Sequence, residues 1–506
     1  MSTELDAHGT TSEKKTQNRR RGMVPMGERL AYIIGSGSHF TAHFFISAFL
    51  ATYLLMIGIP PAISAAVVLV LRVWDAANDL LFGYLVDRVR LRGGKNPFLR
   101  WLFRGRYLPW YRIAAFILPI AMITTFTVNT DAPIWLRIVQ YAIGYMLYDF
   151  AYTLSSTPYG AMLNTLTNDN NERTTLQSYS ALGQIVSNLP VLILGTLLIA
   201  GSWGYAGSAI LFGCWGVLLA IPAMFAVKER NIAVTEPDAD KVEAEAEHGF
   251  RQMLRFLRST PELLFLVLAI LVLGLTGTGG AYSLLIGFYI FDNAALASLI
   301  GLIAIVPTLL LIPLLPPLFK RVDKVVAIRV AGIVGVAAGI GLYSMGIEGA
   351  PANLGVYIAL EAVKGTALIL ILLATQMLLP DIAETGRFRT GTDHTAMVWA
   401  SYGFANKFGT SVVSSLSLLI LAAYGFVSVE AGSFEELAEM KADGVALQTD
   451  TAIQGLWDVS HLYPTIGLAV TCVFFFFVKV RRRDIATMAE ANSGAISREE
   501  AHARLG

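Results

Sequence analysis

Twelve mostly apolar stretches, each close to the length of a membrane span, occupy most of this 506-residue chain. A helix needs about 20 such residues to cross a bilayer. The stretches fall at 30–57, 62–86, 113–129, 134–163, 176–200, 205–227, 260–289, 295–319, 325–346, 352–380, 394–427 and 457–479. Composition agrees: 55% of residues are hydrophobic and 15% charged, with mean hydropathy +0.58, whereas a soluble domain carries roughly 25% charge. The expected fold class is therefore an all-α membrane protein, with the lipid bilayer as its solvent. A net charge of +1 gives no sign of a nucleic-acid partner. Cys214 and Cys472 each lie inside an apolar run, without metal-ligand spacing, and read as small core residues.

The longest polar connection between spans, 228–258, splits them six and six. The expected domains are an N-terminal tail (1–29), a first six-helix half (30–227), a linker (228–258), a second half (259–480) and a tail (481–506). The N-terminal tail has no apolar centre and is not a cleaved signal peptide. The linker is acidic in its middle and ends in "FRQMLRFLR", a pattern for an amphipathic surface helix. Lys and Arg crowd alternate loops, from Arg88 to Arg112, at Lys320 to Lys324, at Arg387 and Arg389 and at Arg481 to Arg483, while "IGIPPA", "NTDAP" and "FDNA" carry none. This asymmetry predicts that both termini and the linker face the cytoplasm of a multi-pass plasma-membrane protein.

Inside the second stretch stand two acids, Asp75 and Asp79, with Asn78 beside them. A spacing of four places both carboxylates on one helical face, about a turn apart. Two close carboxylates favour one proton or one cation between them. Oxygen ligands suit a small hard cation, so the pair is a candidate Na+ or H+ site and the candidate metal ligand set is Asp75 and Asp79. In the fourth stretch Asp149, Thr153 and Ser156 recur at i, i+4 and i+7, again one face. Lys407 lies well inside the eleventh stretch and needs an acidic partner; Glu361 and Lys364 stand three apart in the tenth. Tyr152, Tyr159, Trp399 and Tyr402 offer aromatic faces and hydroxyls of the kind a sugar needs.

Two six-helix halves joined by a cytoplasmic linker is the architecture of major-facilitator transporters. "GYLVDRVRLR" resembles that superfamily's loop after the second helix, with Gly83, Asp87 and Arg88 in register and the later arginines displaced to Arg90 and Arg92. "RVWDAANDLLFGYLVDRVRLRGGK", "YTLSSTPYGAMLNTLTNDNNERTTL", and "GTALILILLATQMLLPDIAE" followed by "NKFG" resemble the glycoside–pentoside–hexuronide:cation symporters, the melibiose permease-like branch. Leu80 and Gly93 depart from the pattern. The resemblance implies a cation site of Asp75, Asn78, Asp79 and Thr153, with Lys407 close to it and Asp149 in coupling. It implies alternating access, a small-molecule cargo that is a sugar or glycoside, no catalytic residues, no cofactor beyond the coupling ion, and a working monomer. The family's sugar-site residues are not kept: its helix-one acid is Phe40 here, its helix-four acid is Ser156, and a helix-ten tryptophan is Leu370. The expected substrate lining is therefore Tyr152, Ser156, Tyr159, Glu361, Lys364, Trp399 and Tyr402. The same losses keep a second cargo open, a lysophospholipid moved with sodium by the same fold.

Overall fold

The computed structural model describes residues 24–89, 91, 95–167, 170–230, 260–319, 321–391, 395–492 and 495–505. Most of the N-terminal tail, Arg92 and nearly all of the 228–258 linker, with its expected amphipathic end, lie outside these residues. Within them the chain is helical, with one isolated antiparallel bridge between Ile57 and Glu430.

Each of the twelve expected spans has its helix. The first half carries α1 (Met26–Leu54), α2 (Pro61–Arg88), a short α3 (Pro97–Leu102), α4 (Leu108–Phe126), α5 (Ile134–Leu166), α6 (Asn170–Pro190) and α7 (Gly204–Ala226). The second carries α8 (Pro261–Leu273), α9 (Leu296–Phe319), α10 (Lys324–Ala352), α11 (Leu354–Thr390), α12 (Thr395–Ala423), α13 (Phe434–Ala442), α14 (Asp450–Trp457), α15 (Arg482–Asn492) and α16 (Arg498–Leu505). Among the described residues, eight helices are long and apolar enough to cross a membrane. Among the described residues, the apolar part of α2 is Pro61–Arg72.

Local chemistry explains several irregularities. Span five passes from α6 through a π-helical turn, Val191–Gly195, directly after Pro190, which has no N–H for the regular ladder. Span twelve continues from α14 through a π-helical turn, Asp458–Leu462, into Tyr463–Phe477. Span seven loosens at its glycine cluster into a 3₁₀ turn, Gly274–Gly277, and two short helices. α10 is kinked at Gly346, whose φ of 67° is open to glycine at little cost. α11 ends on Gly391 in the left-handed region, its N–H bonded to the Arg387 carbonyl.

Contacts divide the chain into two units: Met1–Ser47, Leu71–Leu198 and Trp203–Pro237 in one, and Ala48–Val70, Ile199–Ser202 and Asp238–Gly506 in the other. Residues 48–70 thus group with the second unit, although they lie in the first half of the sequence. Backbone bonds hold them there: Val429 N–H donates to the Leu55 carbonyl and Ala431 N–H to the Met56 carbonyl, each at 3.0 Å. Ser428 adds its hydroxyl to the Leu55 carbonyl at 2.7 Å.

Lipid tails are as apolar as leucine, so close packing and hydrogen bonds hold spanning helices together. In the first unit α4 and α5 meet at Gly144, where a Cβ would stand 2.7 Å from the backbone nitrogen of Thr125. In the second, α8 and α12 meet where a Cβ on Gly274 would stand 2.6 Å from the backbone carbon of Gly409. The tail after span twelve is not a loose end: α15 lies against α11, with Asn492 donating to Glu384 Oε1 at 2.8 Å, and Phe388, Ala491 and Ala501 form a small apolar cluster.

Candidate functional site

The polar face of α2 and the polar face of α5 meet inside the first unit. Asn78 and Thr153 are each 2% exposed and Asp149 4%. Asn78 Nδ2 donates to Asp149 Oδ2 at 2.8 Å and to Thr153 Oγ1 at 3.3 Å. Its amide oxygen, Oδ1, is then left buried with no hydrogen-bond partner among the described residues. Asp75 is close enough to Asp149 for the two carboxyls to interact. Arg72, one turn before Asp75, stands 3.8 Å from its Oδ2 and lies over the Tyr145 ring at 6.0 Å.

The acid pair that the described side chains form is thus Asp75 with Asp149, across two helices. The side chain of Asp79 lies outside what is described, as do those of Asp87 and Arg88 and the surroundings of Gly83. Among the described side chains, Asp75 and Asp149 bring two negative charges when both are ionised and Arg72 one positive, an excess of one negative charge in that state. With the Asn78 and Thr153 oxygens, the arrangement offers hard oxygen donors around an uncompensated charge, the chemistry of a small monovalent cation or a proton. Among the described residues no group of three or more His, Cys, Asp or Glu gathers in a way that would hold a metal ion.

An aromatic wall from α1 and α5 flanks this cluster. His43 Nδ1 shares a hydrogen bond with the Tyr148 hydroxyl at 2.8 Å, and its ring stacks on Tyr152 at 4.7 Å. Tyr152 and Ser156 are half-buried. Tyr159, expected in the substrate lining, is instead 3% exposed, stacked on Tyr32 at 4.6 Å, with its hydroxyl donated to the Tyr32 carbonyl. Its polar handle is spent on holding α5 to α1. His39 edges against Tyr159 at 5.4 Å, with its Nδ1 buried and without a hydrogen-bond partner among the described residues.

In the second unit the remaining expected residues form two groups. Lys364 Nζ donates to Glu361 Oε1 at 2.7 Å. His461 Nε2 lies 3.3 Å from that same oxygen. On α12, Trp399 is 44% exposed and sits edge-on to Tyr402, ring centroids 6.4 Å apart. Tyr402 also accepts a long bond from Gln376 of α11, 3.5 Å. Lys407 lies on an exposed face of α12. Sequence reasoning missed Arg72, Tyr148 and His461 as members of these groups. Arg72 had a legible signal, its spacing of three before Asp75. His461 had none, because its partner stands a hundred residues earlier in the chain.

Residues 31–482 match the family model described as MFS/sugar transport protein. Over its length the chain is 23% identical to the isoprimeverose transporter of Lactiplantibacillus pentosus, with 97% of each chain covered. It is also 23% identical to the uncharacterized symporter YnaJ of Bacillus subtilis (strain 168), covering 92% of this chain and 94% of that one. Among solved structures, a D-xylose-proton symporter superposes with a TM-score of 0.57 at 14% identity, covering 89% of this chain and 97% of that one. That likeness confirms the twelve-helix major-facilitator fold. The chain belongs to the MFS/sugar transport protein family, in its glycoside–pentoside–hexuronide:cation symporter branch, and is a transporter rather than an enzyme.

Proposed function

We propose that this chain is a secondary active transporter of the plasma membrane, with both termini cytoplasmic, that carries a sugar or glycoside together with Na+ or H+ by alternating access as a monomer. The observation that carries the reading is the Asn78 bridge: one amide donates to both Asp149 and Thr153, while its own oxygen is buried with no hydrogen-bond partner among the described residues. The isoprimeverose transporter among its relatives supports a sugar cargo, and the D-xylose-proton symporter that shares its fold is in keeping with a sugar moved together with a coupling ion.

The coupling follows from charge. A bare aspartate at the bilayer centre costs about 2.5–3.5 kcal/mol on the lenient insertion scale. A bound cation removes the excess charge of Asp75 and Asp149 and ties α2 to α5. The aromatic residues on the same stretch of α5, Tyr148 and Tyr152, are fixed with it. Cargo and cation then raise each other's affinity by the same factor, as linkage requires. Asp79 joins Asp75 in the cation site, Lys407 acts in coupling, and Gly83, Asp87, Arg88 and Arg92 act as the conformational loop. Ser156, Glu361, Lys364, Trp399 and Tyr402 contribute to substrate binding.

The test is uptake into proteoliposomes of purified protein. A panel of labelled mono- and oligosaccharide glycosides and one lysophospholipid is offered under an imposed sodium gradient, then a proton gradient. Gradient-driven accumulation of a glycoside, lost in Asp75→Cys and Asp149→Asn, is the expected outcome. Accumulation of lysolipid alone would overturn the sugar cargo, and normal concentrative uptake by both variants would overturn the cation site.

A further inference from the structure

His461 sits in the wide turn Asp458–Leu462, where π-helical geometry interrupts span twelve. Such turns recur at functional sites because they re-aim side chains that a regular helix would not. The carbonyl of His461 is taken by the Thr465 hydroxyl at 2.6 Å, and the ring is 1% exposed. Both ring nitrogens have partners. Nδ1 lies 3.2 Å from the Trp457 carbonyl, which only accepts, so Nδ1 carries a hydrogen. Nε2 lies 3.2 Å from the Tyr357 hydroxyl and 3.3 Å from Glu361 Oε1.

In the neutral ring, Nε2 presents a lone pair toward an ionised carboxylate, and only the Tyr357 hydroxyl can satisfy it. A proton on Nε2 turns that contact into a charge-assisted hydrogen bond. Glu361 Oε1 already accepts from Lys364, so imidazolium and ammonium then compete for one oxygen. Glu361 is partly exposed, 18%, while the His461 side chain is buried.

We propose that His461, Glu361 and Lys364 form a proton-binding site of the second unit, in which occupancy of Nε2 sets how firmly Glu361 holds Lys364. The step is a simple protonation: a solvent proton adds to the Nε2 lone pair and returns to solvent. The other ionisable groups near the turn have partners of their own. Asp458 accepts from Tyr424 at 2.7 Å and from Gln454 at 2.8 Å, with Tyr343 also beside it. The inference does not depend on the cargo.

The structure supplies a reporter. Trp457 stacks on His461 with ring centroids 4.0 Å apart, and a protonated imidazole in that position quenches indole emission. Tryptophan fluorescence of the full-length protein in nanodiscs, without cargo and in sodium-free buffer, is titrated between about pH 5 and 9, the range of histidine chemistry. The expected result is a one-proton transition that is absent in His461→Asn and in Trp457→Phe. Glu361→Gln removes the anion that favours the imidazolium and moves the midpoint to lower pH. Lys364→Met removes a neighbouring positive charge and moves it higher, each by about 1 to 3 pH units. Opposite shifts in these two variants carry the test even if His461→Asn does not fold. A titration unchanged in His461→Asn, no transition in the wild-type protein, or shifts of one sign in both charge variants would overturn the site.

Discussion

Replacing Asn78 by leucine keeps the side chain's approximate volume and removes its two donors and its buried oxygen. The donor to Asp149 serves a carboxylate at 2.8 Å, and a hydrogen bond to a charged group is worth about 1.5–3 kcal/mol. If that term is lost from the cation-bound state, affinity falls roughly 10- to 150-fold, since 1.4 kcal/mol is a factor of ten. Cation binding can be read without a cargo, as stabilisation of the folded protein. At a sodium concentration of about 100 times the wild-type dissociation constant, the gain is about 2.7 kcal/mol. A tenfold weaker site keeps about 1.4 kcal/mol of it and a hundredfold weaker site about 0.4 kcal/mol. The assay is thermal unfolding of the detergent-purified protein in sodium against choline chloride at constant ionic strength. Asn78→Leu should lose at least half of the sodium-specific shift, and Asn78→Gln should retain more than leucine does. A sodium shift in Asn78→Leu equal to that of the wild-type protein would refute the reasoning, because the amide would then contribute nothing to the ion.

Three further outcomes follow from particular contacts. At the start of α4, Glu229 accepts the N–H groups of Arg106 and Tyr107, the latter at 2.8 Å, so Glu229→Ala, which has no acceptor, should unfold at a lower temperature than Glu229→Gln. Burial pushes the Glu229 carboxyl above the usual range, against the pull of those N–H groups; because the fold favours its protonated form, the stability it contributes is greatest below the unfolded carboxylate range and declines as pH rises through its folded value, and melting curves of wild type and Glu229→Gln should separate in the variant's favour over that window. Gly144→Ala places a methyl 2.7 Å from the Thr125 backbone, which cannot yield without parting α4 from α5; a loss of about 1–3 kcal/mol is expected in the melting of the purified protein. Val429→Pro with Ala431→Pro deletes two donors to Leu55 and Met56, about 1 kcal/mol each, so local opening around residues 54–58 should rise roughly 30-fold in hydrogen exchange while the helical core keeps its protection.

What the sequence disclosed depended on whether the information was local. Span number, helix type and the position of the acids follow from hydropathy and from 3.6-residue spacing, and both are properties of short windows. At the glycine-rich run of span seven the chain leaves α-helical geometry, over Gly274–Gly277. The partner of each polar residue is a different kind of fact. Asp75 and Asp79 share a face by spacing, yet the carboxyl that Asn78 engages is Asp149, 71 positions later. No window contains both. The same limit hid the grouping of residues 48–70 with the second unit, because the bonds that cause it join Leu55 and Met56 to Val429 and Ala431.

Tyr159 shows the limit most sharply. From sequence it is equivalent to Tyr152, an amphipathic ring two turns further along the same helix and the same kind of candidate for a sugar contact. The two differ in what lies opposite. Across from Tyr159 stand Tyr32 and the small residue Gly35, where a Cβ would collide with Ala223 and approach the Tyr159 hydroxyl at 2.8 Å. α1 therefore comes close enough for its backbone carbonyl to take the Tyr159 hydroxyl. Across from Tyr152 stands His43, whose ring stacks on it and leaves it half-buried. One tyrosine thus becomes helix packing and the other remains a candidate lining residue, through neighbours more than 100 positions away. In a chain whose spanning helices are mostly apolar, the cargo-facing surface is decided by these inter-helix pairings.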